Sequence, residues 1–263
     1  MFSKIVANRL KKVLPFIISK SQSAFQSNKA ILDNILVAFE FLHQMKTQKS
    51  KKANFMTLKL DINKAYDRVE WRFLTEIMRK MGFCESWIAI IYECVSTISY
   101  SILVNGEPKG NIYPTRGIKQ GDPLSLCLFL LCSEGLNRLL VQAARNSSIR
   151  GYSLCKNGPQ ITHLFFVDDI LLFCRARTEE LQVIQKILSV YEKALGQQVN
   201  RGKTTLFFSK VVTEETKREI LTFLGVSKIK EYEKYLGLLA VVGREKKASL
   251  NYIKERVWSK LYR

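Results

Sequence analysis

The chain has 263 residues, of which 42 are Lys or Arg and 23 are Asp or Glu, so its formal net charge is +19. A hydrophobic fraction of 47% is enough to form a sizeable core, in one large domain or two small ones. The positive charge makes nucleic acid the first partner to consider, although charge alone leaves a ribosomal, histone-like or membrane-surface protein open.

Cysteine and histidine usage argues against a zinc site or a disulfide framework, because no cysteine forms a C-x-x-C pair and histidines are few. Reduced, buried thiols in a nuclear or cytoplasmic protein fit this pattern better. The longest purely apolar run, Leu126–Cys132, is too short to span a bilayer, and the N-terminus has no long apolar signal region. We therefore expect a protein that is neither secreted nor membrane-bound.

The first third of the chain predicts two helices and a strand. Lys4–Val13 has the pattern of a basic amphipathic helix, and Ile31–Met45 that of a second helix. In Phe55–Asp61 apolar and polar side chains alternate, which predicts a half-buried strand that places Asp61 on a polar surface at its end.

The middle third predicts two further helices, Arg72–Met81 and Trp87–Ser96. Asn105-Gly106 is typical of a hairpin turn, here between strands Tyr100–Val104 and Asn111–Pro114. Asp122 can cap a long apolar helix with Pro123 at its first position, running to about Ala144.

In the last third, Ile161–Phe173 predicts two strands joined by a tight turn at Asp168-Asp169. Three more helices are predicted: one capped by Thr178, one capped by Thr213 and closed at Gly225, and a basic amphipathic one over Lys246–Arg263. Helices and strands are interspersed without a regular βαβ rhythm. This order favours the α+β class, with an antiparallel sheet backed by helices.

Three carboxylates carry the chemical hypothesis. If the strand that ends at Asp61 and the hairpin bearing Asp168 and Asp169 are neighbours, the carboxylates converge and raise one another's pKa unless a cation neutralises them. Oxygen ligands without His or Cys suit Mg²⁺, and two such ions could activate a 3′-hydroxyl and stabilise a leaving pyrophosphate. Taken singly, an Asp-Asp turn and an Asp at a strand end are also common for backbone reasons alone.

Five strings occur in order: TLKLDINKAYDRVEW, TRGIKQGDPLS, THLFFVDDILLF, ALGQQVNRGK and KYLGL. They resemble motifs A to E of the reverse transcriptases of LINE-type (non-LTR) retrotransposons, particularly the plant elements. The upstream segments KIVANRL and SQSAFQSNKAILDN resemble fingers motifs of the same family. One such motif is weak evidence, whereas five in order are specific.

The resemblance implies a right-hand polymerase palm with partial fingers and the start of a thumb. It divides the chain into partial fingers (1–54), palm with motif A (55–71), a fingers–palm connection (72–114), palm with motifs B, C and D (115–230), and the primer-grip turn with the start of the thumb (231–263). On this basis the chain begins inside the fingers, and the endonuclease domain expected on the full-length element is absent here.

The resemblance also implies residue roles. Asp61, Asp168 and Asp169 would be catalytic and, with the backbone of Ile62, would hold two Mg²⁺ ions, for which Mn²⁺ is a possible substitute. Nucleotide-binding roles are implied for Lys29, Tyr66, Gln120, Gly121 and Lys203. The ring of Tyr66 would clash with a 2′-hydroxyl and so favour dNTPs. Lys29 departs from the family pattern, which has an arginine there, and Val167 stands where a small residue is usual.

Nucleic-acid contacts are implied for Arg116 and Lys119 in motif B, for the primer-grip residues Tyr235, Leu236 and Gly237, and for Lys254, Arg256 and Lys260 in the thumb. Such contacts would bind without sequence preference and weaken with salt. A solvated helix face is the alternative for the thumb residues.

The implied function is RNA-directed DNA polymerisation, with an RNA template, a DNA primer and dNTPs as partners. A catalytically inactive, truncated remnant that only binds nucleic acid is the alternative. An RNA-dependent RNA polymerase is disfavoured because those enzymes place an aspartate where this chain has Tyr66. A group II intron maturase fits the wording of the motifs less well.

Overall fold

The computed structural model describes residues 2–24, 31–47, 54–155, 158–225, 234–235 and 238–239. Its helices are α1 (Phe2–Ile17), α2 (Ile31–Thr47), α3 (Trp71–Lys80), α4 (Glu85–Ser96), α5 (Pro123–Arg145), α6 (Thr178–Leu195) and α7 (Glu214–Leu224). Its strands are β1 (Phe55–Leu60), β2 (Ile62–Asn63), β3 (Tyr100–Val104), β4 (Glu107–Ile112), β5 (His163–Phe166), β6 (Asp169–Arg175), β7 (Gln198–Val199), β8 (Thr205–Phe208), β9 (Lys234–Tyr235) and β10 (Leu238–Leu239).

A four-stranded sheet in the order β5-β6-β1-β8 forms the centre of the molecule. All three strand pairs are antiparallel, which confirms the predicted α+β class with an antiparallel sheet backed by helices. Strand β1 lies between β6 and β8, so the strand that leads to Asp61 is an interior strand. Its last pair with β6 joins Leu60 and Ile170, one position before Asp61.

Side chains point to alternate faces along each strand, and both faces of the sheet are covered by helices. One face, with Leu58 and Leu172, belongs to the larger core built with α1, α3, α5 and α6. The other face, with Phe173, packs against Phe41 and Met45 of α2.

The prediction of a half-buried β1 was therefore wrong at Thr57. That side chain is fully buried, and its hydroxyl donates to Sδ of Met45 at 3.3 Å. Helix α2 covers this part of the strand, and Lys59 and Asp61 farther along remain half-buried.

Local capping rules account for both ends of α7 and for the start of α5. The Asp122 side chain accepts from the backbone N–H of Leu124 at 2.8 Å, and Thr213 caps α7, which ends at Gly225 with a left-handed φ of 64°. The predicted Thr178 cap was wrong, because Arg177 occupies the N-cap and Thr178 is already helical.

The predicted hairpin at Asn105-Gly106 is present, with positive φ at both turn residues, as a two-residue turn requires. Its second strand is Glu107–Ile112, so the prediction of Asn111–Pro114 was wrong. The two-residue turn pairs Val104 directly with Glu107 and starts the returning strand at once.

Helix α5 is the most buried helix of the core. Within the part of the chain that the structure describes, it alone is long and apolar enough to cross a membrane, although its longest purely apolar run, Leu126–Cys132, covers only a part of the helix. Inside the fold, 72% of its apolar window is buried. It packs against α1, α3 and α6, which is the position of a core helix in a folded domain. The predicted helix over Lys246–Arg263 lies outside the described residues.

Candidate active site

The turn between β5 and β6 carries the acidic doublet. Phe166 pairs with Asp169, which leaves Val167 and Asp168 as a two-residue turn. Val167 has a φ of 55°, a conformation that β-branched residues disfavour. Asp168 thus lies at the tip of the hairpin, and Asp169 begins the next strand.

Asp61 reaches the same place from the neighbouring strand. Since Leu60 pairs with Ile170, continuing the register places Asp61 beside Asp169. The carbonyl of Asp61 accepts from the backbone N–H of Asn200 at 2.8 Å, which joins the end of β1 to the loop after β7. The pairing of β1 with β6 confirms the sequence prediction that the strand ending at Asp61 and the hairpin bearing Asp168 and Asp169 are neighbours.

A cleft of about 480 Å³ lies over these strand ends. It is lined by Asp61, Ile62, Asn63, Lys64, Ala65, Tyr66, Asp67, Gln120, Phe166, Val167, Asp168, Asp169 and Lys203. All three predicted catalytic carboxylates line it, together with the predicted nucleotide-binding residues Tyr66, Gln120 and Lys203. Gly121 and the predicted nucleic-acid contacts Arg116 and Lys119 do not line it.

The carboxylates interact with one another. Burial raises the pKa of Asp168, a hydrogen bond from its own backbone N–H opposes the rise, and the charge of Asp61 adds to it. Burial likewise raises the pKa of Asp169, where Lys59 opposes the rise and Asp168 and Asp61 add to it. A bound cation would relieve both the burial of charge and the mutual repulsion.

Two lysines lie against these acids. Nζ of Lys203 is 3.6 Å from Oδ2 of Asp61, and Nζ of Lys59 is 4.0 Å from Oδ1 of Asp169. Lys59 lies two residues before Asp61 on the same face of β1, which the alternation of the strand could have indicated. Sequence reasoning assigned a role to Lys203 and missed Lys59.

Tyr66 forms one wall of the cleft. Its ring stacks on Phe129 of α5, with centroids 4.9 Å apart and planes 19° apart. Burial, and after it the charge of Asp168, raises the pKa of Tyr66 to about 12. Nε2 of the buried Gln197 donates to the carbonyl of Ala65, the residue before this tyrosine. Sequence reasoning missed Gln197.

The loop before α5 is fixed to the segment after β2. The backbone N–H of Gly117 donates to the carbonyl of Val69 at 2.8 Å, and that of Ile118 donates to the carbonyl of Tyr66 at 3.0 Å. A Cβ on Gly117 would lie 2.7 Å from the carbonyl oxygen of Asp67, so only glycine fits there. Nη1 of Arg116 lies 3.4 Å from Oε1 of Glu70.

Gly121 has a φ of 91°, a conformation that favours glycine, and its Cβ position is open. Tyr235 lies in β9, paired with Leu238 of β10. The remaining predicted site residues lie outside the described residues: Lys29, Leu236, Gly237, Lys254, Arg256 and Lys260.

The donor set suits a hard divalent cation, because three carboxylates line one cleft and neither His nor Cys joins them. Among the described residues, however, no group of three His, Cys, Asp or Glu side chains is close enough to hold a metal ion as it stands. Two of the acids instead lie against lysines. The chemistry of the residues fits a metal, and the side chains would have to turn from the lysines to bind it.

An antiparallel sheet backed by helices, with acids at adjacent strand ends, is the palm architecture of a nucleic-acid polymerase. Residues 1–228 match the family model described as reverse transcriptase (RNA-dependent DNA polymerase), and the chain belongs to this family. Reverse-transcriptase domains in general depend on a divalent metal ion and bind a nucleic-acid template.

Two curated relatives are similar to parts of this chain. An uncharacterized mitochondrial protein of Arabidopsis thaliana is 45% identical over 67 residues, which is 26% of this chain and 55% of that protein. The Pol polyprotein of the type-1 retrotransposable element R2 of Popillia japonica is 33% identical over 134 residues, 49% of this chain and 20% of the polyprotein. The chain therefore spans about half of the first relative and a fifth of the second.

A solved structure supports the fold. The telomerase of Candida albicans, in complex with a fragment of telomeric RNA, superposes with a TM-score of 0.57 and 15% sequence identity. The match covers 92% of this chain and 36% of the telomerase. At this level of identity the likeness concerns the fold alone, and it is consistent with a reverse-transcriptase palm.

Proposed function

We propose that this chain is an RNA-directed DNA polymerase of a LINE-type retrotransposon, which adds dNTPs to a DNA primer on an RNA template. The observation that carries the proposal is that Asp61, Asp168 and Asp169 line one cleft, at the ends of the paired strands β1 and β6. The family match supports the reaction class.

Asp61, Asp168 and Asp169 would hold two Mg²⁺ ions, or Mn²⁺ in their place, with the backbone of Ile62 beside them. When bound, the ions would lower the pKa of the primer 3′-hydroxyl and neutralise charge on the departing pyrophosphate. The reaction forms a bond between the 3′-oxygen and the α-phosphorus and breaks the bond from that phosphorus to pyrophosphate. The raised pKa values of Asp168 and Asp169 support cation binding, because both side chains are costly to ionise without a counter-charge.

The other residues of the cleft would bind the incoming nucleotide. Tyr66, held flat against Phe129, would exclude a 2′-hydroxyl by steric contact. Gln120 would donate to or accept from the sugar or base. Lys203 would leave Asp61 and neutralise the triphosphate, or donate a proton to pyrophosphate. Arg116 and Lys119 are exposed in the loop before α5, where they could contact template phosphates.

Primer extension tests the proposal. Wild-type protein should incorporate dNTPs on a primed RNA template with Mg²⁺, and Asp168→Asn should abolish incorporation. Glu219→Gln on the exposed face of α7 is the matched control, because it removes one negative charge from a side chain that does not line the cleft. Extension by wild type no better than by Asp168→Asn, with salt-sensitive nucleic-acid binding intact, would instead indicate a non-catalytic binder.

A further inference from the structure

The segment that follows α1 lies along the free edge of β5. The backbone N–H of Phe165 donates to the carbonyl of Ser21 at 2.8 Å, and the N–H of Ser23 donates to the carbonyl of Phe165 at 3.2 Å. Gln22, between these two serines, thus pairs with Phe165 in a parallel bridge. Although this segment is far in sequence from Asp168 and Asp169, it lies beside β5, the outer strand of the hairpin that carries these two acids.

The side chain of Gln22 turns inward from this bridge and reaches the acidic turn. It is fully buried, and its Oε1 accepts from the backbone N–H of Ala24 at 3.0 Å and from that of Val167 at 3.4 Å. Val167 is the first residue of the turn, immediately before Asp168. A buried amide oxygen that accepts from this N–H restrains the turn at the residue that aims Asp168.

The backbone of the turn is strained at Val167. Val167 holds a φ of 55°, which a β-branched residue adopts only when its surroundings enforce it. The hairpin pairing fixes Phe166 and Asp169 but leaves the two turn residues without a cross-strand partner. The hydrogen bond from Gln22 supplies a contact at the strained residue itself.

The Gln22 segment is braced by a buried polar network against α5. The backbone N–H of Ser19 donates to Oε1 of Glu134 at 2.8 Å, and Nδ2 of Asn137 donates to Oε2 of the same carboxylate at 2.8 Å. Nε2 of His163 lies 2.7 Å from Oδ1 of Asn137, which ties β5 to the same network. The segment, the hairpin and α5 are therefore connected by buried hydrogen bonds.

We propose that Gln22 is a positioning residue for the polymerase reaction: it holds the Val167–Asp168 turn so that Asp168 lies in the same cleft as Asp61 and Asp169. This inference rests on the proposed function. Gln22 lies in the string SQSAFQ, to which sequence reasoning gave no role in the metal site.

The test compares Gln22→Met with Asn34→Ala. Methionine keeps the length of the side chain and removes the amide acceptor. Nδ2 of Asn34 donates to the carbonyl of Phe165 at 2.8 Å, so its loss loosens the same hairpin without touching the turn. Four quantities are measured for each protein: the melting temperature, the Mn²⁺ dissociation constant by electron paramagnetic resonance, and kcat and KM for primer–template in extension.

Both variants should lower the melting temperature by similar amounts. Gln22→Met should raise the Mn²⁺ dissociation constant and lower kcat by about fivefold each, as expected for one lost hydrogen bond, and KM for primer–template should change by less than about twofold. Asn34→Ala should leave the Mn²⁺ dissociation constant and kcat within about twofold of wild type.

A double-mutant cycle with Val167→Gly adds a readout that general loosening would not move. Glycine adopts a positive φ without strain, so the effect of Gln22→Met on Mn²⁺ affinity should shrink to less than half when position 167 is glycine. Additive effects would overturn the proposal, and so would a Gln22→Met protein with wild-type Mn²⁺ affinity and kcat. A wild-type protein that binds Mn²⁺ no better than Asp168→Asn would instead contradict the proposed function, and this inference with it.

Discussion

Lys203 lies against Asp61, with Nζ 3.6 Å from Oδ2, and the loop that carries it is joined to the carbonyl of Asp61 through the backbone N–H of Asn200. At its other end the loop leads into β8, where Thr205 pairs with Lys59 of β1. Both ends of the loop are therefore attached to β1 or to Asp61, which follows it. Since the lysine is mostly exposed, the pair contributes little to stability, and its importance is the positive charge that it places beside the proposed metal ligands.

Replacing this lysine should separate metal binding from catalysis. In Lys203→Met, Asp61 loses its cationic neighbour, so Mn²⁺ should bind more tightly in the absence of dNTP. The rate of extension should nevertheless fall by roughly tenfold, because the triphosphate loses a counter-charge. Mn²⁺ titration and single-turnover extension measure the two effects, with Lys193→Met on the exposed side of α6 as control. Weaker Mn²⁺ binding in Lys203→Met would contradict this account.

Tyr66 should set the choice of sugar. Tyr66→Ala opens the space over Phe129 and should raise incorporation of NTPs relative to dNTPs by about tenfold or more, because a steric contact with the 2′-hydroxyl is removed. Tyr66→Phe keeps the ring and should retain the selection of wild type. The ratio of kcat/KM for the two nucleotides is the measurement, and unchanged selection in Tyr66→Ala would show that this ring is not the sugar gate.

Phe129 should support that ring from below. The side chain is 1% exposed, so Phe129→Ala should lower the free energy of unfolding by about 3–5 kcal/mol. Phe129→Leu should lose less, since it leaves a smaller cavity. Urea denaturation measures both, and the surviving folded fraction of Phe129→Ala should discriminate sugars less well than wild type. A loss of stability below about 1 kcal/mol would mean that the stacked pair is not part of the packed core.

The burial of His163 should make the stability of the folded chain depend on pH. Burial lowers its pKa from 6.5 to about 4, so between these values the unfolded chain binds a proton that the folded chain does not. The free energy of unfolding should therefore rise with pH across this window, by about 3 kcal/mol in total. Above pH 6.5 this histidine should cause no further change in the free energy of unfolding.

Denaturation at several pH values measures this dependence. His163→Gln should remove the rise between pH 4 and 6.5, whereas His43→Gln, on the exposed side of α2, should keep it. If His163→Gln retains the full slope, other groups control the acid sensitivity of the fold.

The sequence was informative where a local rule or an ordered motif applies. The strand within Phe55–Asp61, the Asn105-Gly106 turn and the cap at Asp122 each follow from a few neighbouring residues, and the structure confirms all three, although burial does not alternate at Thr57. The motif order identified the family without any knowledge of strand order.

The unpredicted contacts join distant segments. Gln22 meets Val167, and Gln197 meets Ala65, through single hydrogen bonds that leave no periodic trace in the sequence. Gly117 needs to be glycine because Asp67 passes close to it, which only the folded chain reveals. The burial of Thr57 likewise depends on α2, whose packing against the sheet no local pattern in the strand indicates.

Binding of Mn²⁺ to wild type, Asp61→Asn and Asp168→Asn, followed by electron paramagnetic resonance with Glu219→Gln as control, tests most directly whether both strands build one metal site. We predict that wild type and Glu219→Gln bind alike, and that either aspartate variant loses most of the bound Mn²⁺, because acids from both strands are ligands. Undiminished binding by Asp61→Asn, with binding lost in Asp168→Asn, would show that the two strands do not share a metal and would contradict the account.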